Sequence, residues 1–95
     1  MTTVLISHRV ADYDTWRSES DRVHAGSIGS ACLTWRIWRG EDDPNLVVVE
    51  ETFPSREAAE ATMNNSDLPA EIANAGVEIS SIAITYLDEV FSGTR

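Results

Sequence analysis

Two apolar-rich runs, Ala31–Arg39 and Leu46–Phe53, flank the segment Gly40-Glu41-Asp42-Asp43-Pro44-Asn45. Turn formers packed between β-branched and aromatic residues read as a β-hairpin. The first run places Ala31, Leu33, Trp35 and Ile37 on one face and Cys32, Thr34, Arg36 and Trp38 on the other. Large apolar groups therefore stand on both sides of one strand, and both sides need cover.

The flanking segments fill in the order. Thr3–Val10 alternates as a strand, with Val4, Ile6, His8 and Val10 on one face and Leu5, Ser7 and Arg9 on the other. Asp12 fits a helix N-cap, Asp14 the first turn and Gly26 the position past the end. Tyr13, Trp16, Ser20 and Val23 share one face of that helix, with Arg17 and His24 along its edge, and Asp14–Arg17 and Glu19–Arg22 are spaced for ion pairs. Pro54-Ser55 opens a second helix that runs to about Asn64, and Asp67-Leu68-Pro69 starts a short one ending at Gly76. The last strand, over about Ser80–Val90, alternates Ile82, Ile84 and Tyr86 with Ala83, Thr85 and Leu87. The order β-α-β-β-α-β predicts one ferredoxin-like α+β domain over residues 1–95, an antiparallel sheet with both helices on one face. The uncovered face is not polar, and a second copy of the chain is the simplest cover.

Composition removes several function classes. The net charge is −9, there is no Lys, and the seven Arg are scattered. Nucleic acid and anionic membranes are poor partners for such a surface. The longest aliphatic run, Leu46–Val49, is far too short for a bilayer, and Met1–Ile6 lacks the basic start of a signal peptide, so a cytoplasmic protein is expected. Cys32 stands alone, which sets aside an intrachain disulfide and a Cys-based zinc site. The two histidines, 16 positions apart, show no metal-ligand spacing with a carboxylate, so no metal is expected.

The segments Val10-Ala11-Asp12-Tyr13-Asp14-Thr15-Trp16 and Trp38-Arg39-Gly40-Glu41-Asp42-Asp43-Pro44-Asn45 resemble the dimeric α+β barrel superfamily. So do Glu51-Thr52-Phe53 leading into Ala58-Ala59, Ser66-Asp67-Leu68 through Ala75-Gly76-Val77, and Tyr86-Leu87-Asp88-Glu89-Val90. The group includes antibiotic-biosynthesis monooxygenases and small polyketide cyclases, and the likeness is strongest to short cyclase-like bacterial proteins. It implies a homodimer with two sheets facing each other, a pocket between sheet and helices in each protomer, and no mandatory cofactor. Activities on this fold range over oxygenation, cyclisation, isomerisation and haem degradation, so the fold does not choose one.

Candidate site residues come from the chemistry of single positions. His8 has a side chain suited to taking a proton at neutral pH, and its alternative is a half-buried structural histidine. Tyr86 and Arg36 are candidates for steadying an oxyanion, although Arg36 also suits a cross-strand pair with Glu50 or Glu51. Trp16, Trp35, Trp38 and Phe53 are candidates for lining a pocket for a flat, aromatic or polyketide-type ligand, or else for core and interface. His24 is either a further pocket residue or a charge at the helix C-terminus. The expected function is a cofactor-free enzyme acting by cyclisation, isomerisation or oxygenation. A non-catalytic ligand-binding or structural homodimer is the alternative.

Overall fold

The computed structural model describes residues Met1–Arg95. Its elements are β1 (Thr2–Val10), α1 (Tyr13–Ala25), β2 (Thr34–Arg39), β3 (Leu46–Phe53), α2 (Arg56–Met63), α3 (Leu68–Asn74) and β4 (Val77–Leu87). All neighbouring strands are antiparallel, in the order β2-β3-β1-β4. This is the ferredoxin-like arrangement, with a third short helix inserted before β4.

Local chemistry sets the helix ends. The Asp12 carboxylate accepts the Thr15 N–H at 2.9 Å, and Ser55 Oγ accepts the Ala58 N–H at 3.1 Å. Each satisfies a backbone donor that the first helical turn leaves unpaired. Gly76 follows α3 at φ +74, a left-handed turn that glycine adopts without Cβ strain, and it swings the chain into β4. Along α1, Arg22 pairs with Glu19, while Arg17 reaches forward to Asp21 rather than back to Asp14.

Strand alternation divides the sheet into two unlike faces. Val4 and Val10 of β1 join Val47, Val49 and Phe53 of β3 under the helices. Two core clusters result: Val10, Trp16, Val47, Val49 and Ala75 at one end, and Val4, Phe53 and Ala59 at the other. The opposite face carries Leu5, Val48, Trp38 and Leu87 among Ser7, Arg36 and Glu50. No helix lies on it, and Trp38 is 53% exposed.

Three strand boundaries differ from expectation. β2 begins at Thr34 instead of Ala31, because Gly29 donates back to the Val23 carbonyl and Cys32 to the Gly29 carbonyl, holding 26–33 as a loop against α1. β4 begins at Val77 and ends at Leu87, rather than spanning Ser80–Val90. Its register shifts opposite β1: Ser7 faces Ala83, yet Arg9 faces Glu78. The polar Ser80-Ser81 pair sits in this bulge, where Ser81 Oγ accepts the Arg9 N–H at 2.8 Å and donates to the Glu78 carbonyl at 2.5 Å. No helix is long and apolar enough to cross a membrane.

Trp16 is 4% exposed and belongs to the larger core cluster. Trp16→Ala should cost ~3–5 kcal/mol, as large-to-small core changes do. A loss below about 1 kcal/mol in denaturant melts would contradict this packing.

Candidate functional site

Between the two core clusters the helix-facing side of the sheet is incompletely filled. A cavity of about 120 Å³ lies there, bounded by β1, β3, β4 and all three helices. The β4 bulge shapes it: His8 stands between Ser7 and Arg9, where the β1–β4 register breaks and regular pairing stops. Bulges recur beside active sites because they re-aim side chains and interrupt a ladder. On the β4 side the wall is Ile82 and Ile84, and Ile84 keeps 44% exposure, so the cavity meets solvent there.

His8 is 5% exposed and packs against Trp16, with ring centroids 5.4 Å apart. Its Nε2 is buried without a hydrogen-bond partner. Burial pushes its pKa below the ordinary histidine value, so the ring is neutral at neutral pH. Glu71, on α3, also lines the cavity with a buried, unpartnered Oε2. An orphaned polar atom costs free energy unless something supplies its partner.

His24 forms a second polar centre in the same wall. Its Nδ1 lies 2.8 Å from the Ser20 carbonyl and its Nε2 2.5 Å from Glu51 Oε2. Both partners are acceptors, so the ring holds both protons as an imidazolium. Burial alone pulls the His24 pKa down, but the hydrogen bond and charge of Glu51 outweigh it, and the net direction is up. Trp35 stacks on the ring at 4.5 Å and 13°. Cys32 completes the group: ligand atoms of His24, Cys32 and Glu51 all lie within 4.8 Å of one another. Burial and the neighbouring Glu51 charge push the Cys32 thiol up to about 12, so it is protonated.

Of the eight residues singled out from sequence, the cavity gathers His8, Trp16 and His24. Trp35 touches it only through the His24 ring. Arg36 and Trp38 lie on the opposite face; Arg36 stands in register with Glu50, but no ion pair joins them. Phe53 is sealed in the second core cluster, and Tyr86 packs beside it under the Arg56 guanidinium. Neither lines the cavity. Glu51 and Glu71 were the residues not foreseen there, although both leave a trace. Val47, Val49, Glu51 and Phe53 share one strand face, and Leu68, Glu71, Ile72 and Ala75 share one helical stripe, so each acid interrupts an apolar row.

The two histidines couple to stability with opposite sign. For His24 the folded value lies above the unfolded 6.5, so its contribution is full below 6.5 and is lost as pH rises through the raised value. For His8 the folded value lies below 6.5, so its contribution is present above 6.5 and lost as pH falls. Glu51→Gln removes the partner that keeps His24 charged. It should cost ~2–3 kcal/mol near about pH 6 and distinctly less near about pH 9. Urea melts showing a cost that grows with pH would contradict the pair.

No protein-family model matches the sequence, and neither does any curated protein. Solved structures do match. An antibiotic biosynthesis monooxygenase superposes with TM-score 0.70 at 16% identity, over 95% of this chain and 99% of that one. A variant of SnoaB, a cofactor-independent oxygenase from Streptomyces nogalater, gives TM-score 0.76 at 11% identity, over 96% and 94%. A protein of Mycobacterium tuberculosis gives TM-score 0.68 at 16% identity, over 99% and 100%. Likeness at such identities speaks for the fold, not for a reaction. The chain has the ferredoxin-like α+β fold of the antibiotic biosynthesis monooxygenase-like proteins.

Proposed function

We propose that the protein is a small-molecule enzyme in which His8 Nε2 takes a proton from a substrate held in the cavity. The observation that carries this is the unpartnered, buried Nε2 of a neutral imidazole in a largely apolar cavity wall. With its ring proton on Nδ1, Nε2 offers a lone pair. Transfer leaves the substrate as an enolate or phenolate and His8 as an imidazolium. In an isomerisation or cyclisation the proton returns at a new position; in an oxygenation the anion meets dioxygen as co-substrate. Because burial weakens His8 as a base, the substrate must be an acidic one, such as a 1,3-dicarbonyl or a polyphenol.

Size narrows the class. A void of about 150 Å³ holds one benzene ring, and drug-sized pockets run to about 300 Å³ and above. The cavity of about 120 Å³ suits one ring. A larger aromatic polyketide would place its reacting ring inside and extend past Ile84. That a cofactor-independent oxygenase shares the fold agrees with chemistry needing only His8 and the substrate. A cytoplasmic setting fits the single free thiol.

The open sheet face supports a homodimer. Trp38 and Leu87 lie exposed on a face without helices, and Phe91, 85% exposed, follows in the C-terminal tail. Light scattering should therefore give twice the 10.5 kDa chain mass. A stable mass of 10.5 kDa at micromolar concentration would refute the dimer.

Incubation with single-ring 1,3-dicarbonyls, polyphenols and aromatic polyketides in D2O, read by mass spectrometry, tests the reaction. Deuterium incorporation or product should appear with wild type and fall by at least ~100-fold in His8→Asn, the usual worth of a general base. The acid limb of the pH profile should lie below 6.5, because the His8 value is lowered. Unchanged exchange in a folded His8→Asn protein would sink the proposal.

A further inference from the structure

The His24–Cys32–Glu51 group lies in the wall behind the proposed reaction site, and the role given to His8 uses none of it. Its members come from three places in the chain: the last turn of α1, the loop before β2, and the C-terminal half of β3. All three chemical types are zinc ligands: an imidazole nitrogen, a thiol sulfur and a carboxylate oxygen. We propose that these three side chains form a site for one divalent cation of the zinc class, with its fourth position open toward the cavity.

Four features support the site. The first is geometry. Zinc bonds of about 2.0–2.3 Å at tetrahedral angles separate ligand atoms by roughly 3.3–3.6 Å. Here Nε2 and Oε2 are 2.5 Å apart and the widest separation is within 4.8 Å, so shifts of about 1 Å suffice. The second is orientation. His24 donates from Nδ1 to the Ser20 carbonyl at 2.8 Å, leaving Nε2 as the ligating nitrogen, and Trp35 stacking holds the ring plane. A backbone carbonyl on the far ring nitrogen is the arrangement that metal-binding histidines use.

The third is charge. A thiolate, a carboxylate and a neutral imidazole sum to −2, which one divalent cation cancels in a wall where His24 and Glu51 side chains are only 6% and 8% exposed. Without metal, the proton between His24 and Glu51 and the thiol proton do the same work, with the Cys32 thiol donating to the Thr34 carbonyl at 3.2 Å. One cation thus replaces two protons at constant net charge, and the protein folds with either. The fourth is selectivity. One carboxylate with nitrogen and sulfur disfavours calcium and magnesium, which take oxygen shells. His24 and Glu51 both border the cavity, so the fourth position faces it and takes water or a ligand heteroatom.

Cobalt(II) is the optical probe, added to chelator-treated protein. Wild type should develop a thiolate-to-cobalt charge-transfer band that saturates at about one equivalent and is abolished by zinc. Because Cys32 is the only cysteine, that band has one possible source. Cys32→Ser should lose it, and Glu51→Gln should weaken cobalt affinity by ~10-fold or more while circular dichroism stays native. Zinc should also raise the melting temperature of wild type, since it binds the folded site. No charge-transfer band in wild type overturns the proposal, even if both variants fail to fold. So does a band that survives in Cys32→Ser. None of these readings depends on turnover, so the site stands or falls separately from the role of His8.

Discussion

A carboxylate on the covered side of a sheet has to be matched, and Glu51 is matched by His24. The pair joins the C-terminal half of β3 to the last turn of α1 and sits almost wholly out of water. Charges buried in this way tolerate little displacement, because separating them leaves two desolvated ions. The consequences spread outward. α1 is held at a defined height above the sheet, and the loop 26–33 is tied to its end by hydrogen bonds to Val23. Cys32 is thereby brought beside Glu51, and Trp35 closes over the imidazolium. A hydrophobic core alone would fill this space with side chains.

The second determinant is the irregularity in β4. Ser81 takes over the Arg9 N–H that a regular ladder would have paired, and the register slips past His8. A continuous β4 would place Ile82 opposite His8, next to the Ser7–Ala83 pair. With the slip Ile82 has no partner on β1 while Ile84 stays opposite Ile6; both line the cavity, and α3 contributes Glu71. The Arg9–Asp43 ion pair, reinforced by Glu78, ties the hairpin turn to this same end of the sheet. It is exposed, and its contribution is correspondingly small.

Placing polar groups on an otherwise apolar face also separates the two halves of the molecule by role. The helix-covered side holds the unpartnered atoms of His8 and Glu71 and the His24–Cys32–Glu51 cluster. The other face holds Trp38, Val48, Leu5 and Leu87, with the Arg36–Glu50 cross-strand neighbours in their midst. One face carries the cavity, and the other is apolar-rich and bare of helices.

Much of this was legible in the chain. Period-two alternation in Thr3–Val10 and Ala31–Arg39 determined which side chains share a face, and Asp12, Ser55 and Gly76 marked the helix limits through hydrogen-bonding and φ preferences that act within a few residues. The burial of Trp16 followed from the helical period, while alternation put His8 with Val4 and Ile6 without saying whether that face meets the helices. What local pattern could not carry was the meeting of residues distant in sequence. Arg36 and Tyr86 look as reactive as His8 when read singly, yet strand pairing sends Arg36 to the far face and packs Tyr86 against the Val4, Phe53 and Ala59 cluster. His24 reads as a helix-end charge until Glu51, 27 positions away, is seen against it. Side-chain period is a property of the strand, but which strand edge slips and which helix end lands on which row are set by packing of the whole. The sequence determined the faces; only the tertiary structure decided which polar atoms on the covered face would meet, because that choice depends on the β4 slip and on the seat of α1 over Glu51.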